Sequence, residues 1–366
     1  MATTTTSRKG SARATGTRVK LDPKTYQRIF EAIIANASSV VKGKDDVIRV
    51  ALVAMLSEGH ILFEDVPGVG KTVLARALAQ SINAKASRIQ CTPDMLPGDI
   101  TGSSVYDQDK KKFEFHEGPI FANILLSDEI NRATPKTQSA LLEAMAERRV
   151  TGDGVVRNLP RPFLVLATQN PIELAGTFPL PEAQLDRFMF KLKMGYPDAE
   201  AERTIMFANA KELAVDSLGA VIETDTVNTM IEFAQDEIEV SDAVGDYIVG
   251  LAHATREEPG LTLGASPRAP INLLRSARVL AASDGRGHVF PDDVRHVLHP
   301  IMAHRLILAP DAILRGETVE AILERVVGRV KAPLMHDVKA GGDGKGVVRK
   351  AARESVASEP GKNNGV

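Results

Sequence analysis

The sequence predicts an α/β domain built on a mainly parallel sheet, followed by an all-helical domain. From about residue 23 to residue 197, short apolar runs alternate with segments of helical periodicity, as expected when helices connect parallel strands. From residue 198 to residue 335, strand-like runs fade and helical periodicity dominates. Residues 1–22 and 336–366 are polar and lack this periodicity, so we expect disordered tails there.

Five short runs are predicted to form the sheet, because each is apolar and is bounded by polar or turn-forming residues. They are Ile61–Glu64, Arg88–Cys91, Ile124–Ser127, Phe163–Thr168 and Phe188–Lys193. A helix is predicted over Thr72–Ile82, where apolar residues recur at helical spacing. Four segments of the second domain show an apolar face at the same spacing. They are Thr224–Gln235, Ser241–Arg256, Pro267–Ala282 and Thr318–Lys331.

The segment between the first strand and this helix has the composition of a phosphate-binding loop. It reads VPGVGKT, and its glycines allow backbone N–H groups to approach phosphate oxygens, while the helix N-terminus adds a partial positive charge. We expect Lys71 to reach the β- and γ-phosphates of ATP and the Thr72 hydroxyl to ligate Mg²⁺. The general motif has a glycine where this chain has Asp65. The expected nucleotide-binding residues are Val66, Pro67, Gly68, Val69, Gly70, Lys71, Thr72 and Val73.

Two adjacent carboxylates, Asp128 and Glu129, follow the third predicted strand. Ligands of open α/β sheets bind at the carboxyl ends of strands. We expect Asp128 to hold Mg²⁺, directly or through water, and Glu129 to orient and deprotonate the attacking water. The alternative is a solvated acidic pair at the start of a loop. Asn170 follows the fourth strand and is a candidate for sensing the γ-phosphate or positioning the water, although Asn-Pro also starts ordinary turns.

Two arginines are candidates for completing the site. Arg187 ends a short helical pattern directly before the last predicted strand, where a guanidinium could reach the γ-phosphate of a neighbouring subunit. It could equally complement the dipole of that short helix. Arg268 lies in the first turn of a helix of the second domain. We expect it to contact nucleotide when that domain closes, the alternative being a surface arginine.

Composition and charge restrict the function classes. The net charge is −2, but residues 1–20 carry +5 and residues 336–366 carry +2, which leaves −9 for the body of the chain. An acidic body lacks the basic face that broad nucleic-acid binding needs. The single cysteine, Cys91, excludes an internal disulfide and fits a reducing cytoplasm. No apolar run reaches the length of an integral membrane segment.

These motifs, in this order, resemble those of an AAA+ ATPase of the MoxR family. The similarity spans roughly residues 42–280 and includes whole segments between the motifs: FEDVPGVGKTVLARALA, IQCTPDMLPGDITGSSVYD, GPIFANILLSDEINRATPKTQSALLEAM, VLATQNPIELAGTFPLPEAQLDRF and GASPRAPINLLRSAR. The resemblance implies a P-loop core followed by a helical lid domain. It also implies Walker A at Val66–Thr72, Walker B at Asp128 and Glu129, sensor 1 at Asn170, an arginine finger at Arg187 and sensor 2 at Arg268.

The resemblance further implies a homo-oligomeric ring, usually a hexamer, with ATP between subunits. Members of the family are regarded as chaperone-like ATPases that mature or activate client complexes, often alongside proteins with a von Willebrand factor A domain. Related proteins carry an insertion, here residues 97–119, whose composition predicts a hairpin with a charged tip at residues 107–112. A second hairpin is predicted over residues 149–158. Both are candidates for contacting the client, or are exposed structural hairpins.

Three other function classes stay open on the residues alone. The first is a nucleic-acid motor or transcription-related AAA+ ATPase, against which stand the acidic body and the 4% aromatic content. The second is the motor subunit of a metal chelatase, whose core is similar. The third is a nucleotide-binding switch without useful hydrolysis, which the presence of Glu129 disfavours.

Overall fold

The computed structural model describes residues 21–66, 68–170, 176–208 and 215–334. Pro67 and nearly all of both predicted tails lie outside the described residues. The strands are β1 Ile61–Glu64, β2 Ala86–Gln90, β3 Gly102–Asp107, β4 Lys112–Glu117, β5 Ile124–Asp128, β6 Arg149–Gly152, β7 Val155–Asn158, β8 Leu164–Gln169, β9 Phe190–Leu192, β10 Leu261–Leu263 and β11 Ile307–Leu308.

The α-helices alternate with the first strands and then predominate. They are α1 Pro23–Ser38, α2 Asp45–Leu56, α3 Lys71–Ser81, α4 Pro97–Thr101, α5 Pro135–Glu147, α6 Glu182–Leu185, α7 Ala199–Phe207, α8 Thr224–Asp236, α9 Asp242–Arg256, α10 Arg268–Ser283, α11 Pro291–Met302, α12 Pro310–Leu314 and α13 Val319–Arg329. Every predicted strand and helix is present, with ends shifted by no more than a few residues. The predicted fold class is therefore confirmed. The boundaries proposed for the two domains and the two tails stay predictions.

The five strands predicted from apolar runs form one parallel sheet in the order β2-β5-β8-β1-β9. Its three central strands, β5, β8 and β1, are almost fully buried, as is usual for parallel sheets, whereas β2 at one edge is mostly exposed. In β1, Ile61 and Phe63 join a core shared with α1, α2, α3 and the helices of the second domain. Leu62, between them, joins a second core on the α5 side. The order brings the carboxyl ends of β1, β8 and β5 to one edge of the sheet.

The region after residue 198 is helical, with one addition to the prediction. A short antiparallel ladder, β10 paired with β11, lies among its helices. β11 has only two residues, too few for sequence periodicity to reveal. Helix α10 begins at Arg268, one residue later than predicted, and Pro270 lies in its first turn, where a missing N–H leaves no intrahelical bond unmade.

Both predicted hairpins are present. β3 pairs with β4 and β6 pairs with β7, each antiparallel. The hairpins also contact each other, because the Ser104 hydroxyl donates to the Asp153 carboxylate and the Arg157 guanidinium lies 3.7 Å from the centre of the Phe115 ring. The two hairpins therefore pack as one unit.

Across the described parts of the chain, none of the helices combines the length and apolarity that a membrane crossing requires.

Candidate nucleotide-binding site

The loop between β1 and α3 has the backbone that its glycines allow. Gly68 and Gly70 have φ values of +83° and +97°, in the left-handed region that residues with a Cβ avoid. A Cβ at Gly68 would meet no atom within 4 Å, so backbone conformation, not crowding, requires the glycine. Gly70 is the N-cap of α3, and this helix N-terminus favours bound anions.

Lys71 is the first residue of α3 and is only 8% exposed. Its Nζ atom donates a hydrogen bond to the Val66 carbonyl oxygen at 2.8 Å, which folds the loop around the ammonium group. Burial lowers the pKa of Lys71, while nearby carboxylates, including Asp128 and Glu129, oppose that shift. The ammonium group is thus partly shielded from water, and its electrostatic attraction for an anion is stronger there than in bulk solvent.

The contacts of Asp65 explain why this chain has an aspartate where the general loop motif has a glycine. Its carboxylate accepts hydrogen bonds from the backbone N–H groups of Val66 at 3.0 Å, Met194 at 2.5 Å and Gly195 at 2.8 Å. A glycine could make none of these contacts. Asp65 therefore ties the start of the loop to the segment that leaves β9 and leads toward the second domain.

The two carboxylates have different surroundings. Asp128 ends β5 and is nearly buried; it accepts from Arg88 Nε at 2.7 Å and from the Thr168 hydroxyl at 3.4 Å. Glu129 has a φ of +55°, rare for a residue with a side chain and frequently found at functional sites. Its N–H donates to the Thr168 hydroxyl at 2.9 Å, and its carboxylate pairs with Arg132 at 3.0 Å.

The loop and the strand ends enclose one cleft of about 310 Å³. The structure thus brings together most of the site residues predicted from sequence. Arg88, Gln90 and Thr168 also line the cleft and were not predicted. Only the order of the strands reveals that β2, which carries Arg88 and Gln90, and β8, which carries Thr168, both lie beside β5. The lining residues are Asp65, Gly68, Gly70, Lys71, Thr72, Val73, Arg88, Gln90, Asp128, Glu129, Thr168 and Asn170.

The cleft offers oxygen donors of the kind that Mg²⁺ prefers, a carboxylate at Asp128 and a hydroxyl at Thr72. The Asp128 carboxylate also forms an ion pair with Arg88 at 2.7 Å. Within the described residues, no group of three or more His, Cys, Asp or Glu side chains is placed to hold a metal. The donor set fits Mg²⁺ that takes its remaining ligands from phosphate and water.

A second, mainly apolar cleft of about 250 Å³ adjoins the loop and shares Gly68, Gly70 and Val73 with the first. Residues from before α2 and from beyond β9 form its other walls, and sequence reasoning did not find them because these segments meet only in the fold. They are Val40, Val41, Lys42, Lys44, Met194, Pro197 and Ile205. An apolar cleft beside a phosphate loop has the shape and chemistry to hold a nucleotide base.

Arg187 and Arg268 lie elsewhere. Neither lines the cleft around Lys71, and together they line a separate cleft of about 260 Å³ that also contains Arg148 and Arg275. Arg268 pairs with Asp186 at 3.2 Å. Arg187 is exposed, and no described residue forms an ion pair with it. In this conformation the two arginines form one basic face, separate from the phosphate loop.

Comparison with known proteins agrees with this geometry. Residues 60–190 match the family described as ATPase family associated with various cellular activities, and residues 253–326 match the AAA lid domain. Chaperone MoxR1 of Mycobacterium tuberculosis is 40% identical over 88% of this chain and 87% of its own length. An uncharacterised Bacillus subtilis protein, YeaC, is 45% identical over 84% of this chain and 98% of its own.

Among solved structures, a presumed ATPase from Cytophaga hutchinsonii superposes with a TM-score of 0.79 and 37% identity, covering 85% of this chain and 97% of that one. The sequence similarity extends across both the sheet and the helical region. The chain therefore belongs to the MoxR family of AAA+ ATPases.

Proposed function

We propose that this protein binds ATP with Mg²⁺ in the cleft around Lys71, hydrolyses it to ADP and phosphate, and uses the free energy to remodel or activate a client protein complex. One observation carries the proposal: a buried lysine on a glycine loop and two carboxylates at the end of β5 line the same cleft. That arrangement supplies both the phosphate contacts and the water-activating group that phosphoryl transfer needs.

Each group in the cleft has a chemical role in the proposal. The Lys71 ammonium and the α3 N-terminus stabilise negative charge on the phosphates. Asp128 and Thr72 would hold Mg²⁺, which supplies charge neutralisation at the β- and γ-phosphates. Glu129 accepts a proton from the attacking water, and the Asn170 amide orients that water or contacts the γ-phosphate. The Arg132 guanidinium at 3.0 Å keeps the Glu129 carboxylate at the cleft edge.

We propose further that active sites are completed between subunits of a homo-oligomeric ring, as a hexamer. Support comes from the exposed basic face of Arg187 and Arg268, which lines a different cleft from the phosphate loop. Arginines that serve another subunit's phosphate must lie on such a face. The cytoplasm is the proposed compartment, since the chain's one cysteine is free and buried.

The paired hairpins are the proposed contact with the client. They expose large apolar side chains that a soluble surface normally hides, at Val105, Tyr106, Phe113, Val155 and Val156. Exposed apolar groups of this kind mark interaction sites. A client with a von Willebrand factor A domain is our proposed partner class, and nucleic acid is disfavoured by the acidic body of the chain.

The test uses mixtures of two inactive variants. Arg187→Ala keeps an intact phosphate loop, and Lys71→Ala keeps an intact arginine. If Arg187 acts across an interface, mixing the two restores ATP hydrolysis at interfaces where the intact parts meet. Absence of recovery at every mixing ratio would refute action between subunits.

The client is sought with Glu129→Gln, which is expected to retain ATP without hydrolysing it. Capture with ATP and Mg²⁺ should retain specific proteins that are lost when Lys71→Ala is used instead. Retention of DNA in place of proteins would contradict the client-remodelling function.

A further inference from the structure

Asp186 lies in the turn between α6 and β9, directly before Arg187. Its carboxylate accepts hydrogen bonds from three side chains of the helical region: Arg305 Nε at 2.8 Å, Arg268 at 3.2 Å, and the Ser266 hydroxyl at 3.0 and 3.1 Å. All three donors lie beyond residue 197. One carboxylate therefore joins the base of the exposed Arg187 to the helical region.

Arg305 strengthens the contact between the helical region and the turn that carries Arg187. Its side chain is 1% exposed, and its guanidinium donates to the backbone carbonyl oxygens of Asp186 at 3.3 Å, Phe188 at 2.6 Å and Met189 at 3.2 Å. These carbonyls flank Arg187 on both sides. A planar guanidinium with several donors in a fixed geometry orients the groups it binds.

Arg305 lies in the short turn that follows α11 and is also tied to that helix. Its guanidinium donates to the Ile301 carbonyl oxygen in the last turn of α11. A buried guanidinium with a paired carboxylate and several carbonyl partners is costly to separate from them. Displacement of α11 would therefore carry the 186–189 turn, and with it the exposed arginine, along the same path.

We propose that Asp186 and Arg305 are positioning residues, which couple the placement of the helical lid to the reach of Arg187 into the active site of a neighbouring subunit. The inference rests on the proposed role of Arg187 between subunits. Asp186 holds Arg268 through the same carboxylate, so one lid movement sets both arginines of the basic face.

The test measures ATP hydrolysis by full-length Asp186→Asn, alone and in mixed rings. Alone, kcat should fall about 100-fold, the scale expected when a catalytic group is misplaced by about 1 Å, while KM for ATP changes little because the phosphate loop is intact. A 1:1 mixture with Glu129→Gln should recover up to about a quarter of the parent kcat. That fraction follows because random assembly places an intact cleft opposite an intact arginine at about one interface in four.

Glu258→Gln is the matched control, because Glu258 is a buried carboxylate that accepts from Arg325 and Arg329 entirely within the helical region. It should lower the Tm and leave kcat unchanged. An equal loss of kcat in Glu258→Gln would trace the effect to general destabilisation of the lid and overturn the inference.

The mixture also separates this inference from the proposed function. If Arg187→Ala recovers activity with Glu129→Gln but Asp186→Asn does not, the positioning role is refuted and the role of Arg187 stands. If neither recovers, both are refuted. Should Asp186→Asn fail to fold, Arg305→Lys takes its place, since it keeps the charge but loses the planar fork.

Discussion

Replacing Asp65 should destabilise the protein, even though the replacement by glycine would restore the general loop motif. The Asp65 carboxylate accepts hydrogen bonds from three backbone N–H groups. Two of the donors, Met194 and Gly195, are well over a hundred residues away in the sequence. Hydrogen bonds to charged groups contribute about 1.5–3 kcal/mol each. Because Asp65 is partly exposed and its bond to Val66 is between adjacent residues, we count only the two long-range bonds, at the lower end of this range, and expect Asp65→Ala to cost about 3 kcal/mol in unfolding free energy.

A second substitution separates charge from shape. In Asp65→Asn, the amide oxygen can still accept from Met194 and Gly195, which share one carboxylate oxygen, but the amide nitrogen would face the Val66 N–H. We therefore expect a smaller loss of about 1–2 kcal/mol. Asp65→Gly should lose at least as much as Asp65→Ala, since glycine adds backbone entropy to the unfolded chain.

Urea unfolding of the nucleotide-free protein provides the assay, with stability taken from the linear extrapolation. Asp109→Ala is the control, because Asp109 is exposed at a hairpin tip, and it should stay within about 0.5 kcal/mol of the parent. If Asp65→Ala also stays within that range, the hydrogen bonds at Asp65 do not hold the loop to residues 194 and 195, and our explanation of the altered motif fails.

Three further changes have defined outcomes. Lys71→Ala should abolish ATP binding measured by calorimetry, and binding at the parent affinity would contradict the loop assignment. Burial lowers the pKa of His60 to about 4 from 6.5, so the unfolded chain takes up a proton at higher pH than the folded protein does. The unfolding free energy should therefore fall as pH decreases from 6.5 toward 4. An equal decrease in the His60→Gln variant would contradict this. Phe113→Ser should lose client capture while keeping hydrolysis, whereas Leu314→Ser, at a lid leucine that is 86% exposed, should keep both; equal capture by the two variants would contradict client contact through the hairpins.

Structural elements could be predicted from the sequence where they depend on neighbouring residues alone. The central strands of the parallel sheet, β1, β5 and β8, are compact and mainly apolar runs. The loop glycines at 68 and 70 adopt the positive φ values that their type permits. Both hairpins followed from alternating side chains around a polar turn. Local periodicity and turn chemistry decide such elements before any long-range contact forms.

Parts of the site could not be predicted where they depend on segments that are far apart in the sequence. Arg88 reaches Asp128 only because β2 pairs with β5, and the apolar cleft exists only because residues 40–44 meet residues 194–205. Arg187 and Arg268 were singled out separately, but the ion pair between Arg268 and Asp186, the residue before Arg187, becomes visible only in the fold. An ion pair between residues far apart in the chain leaves no periodic pattern to read.

The proposed ATP hydrolysis depends most directly on Glu129 as the group that activates water. Glu129→Gln should lower kcat for ATP hydrolysis at least about 100-fold, the lower range for loss of a general base, while ATP affinity stays near that of the parent because the phosphate loop is unchanged. Glu143→Gln, at an exposed position of α5, should hydrolyse ATP normally. Hydrolysis by Glu129→Gln at the parent rate would contradict the proposed mechanism.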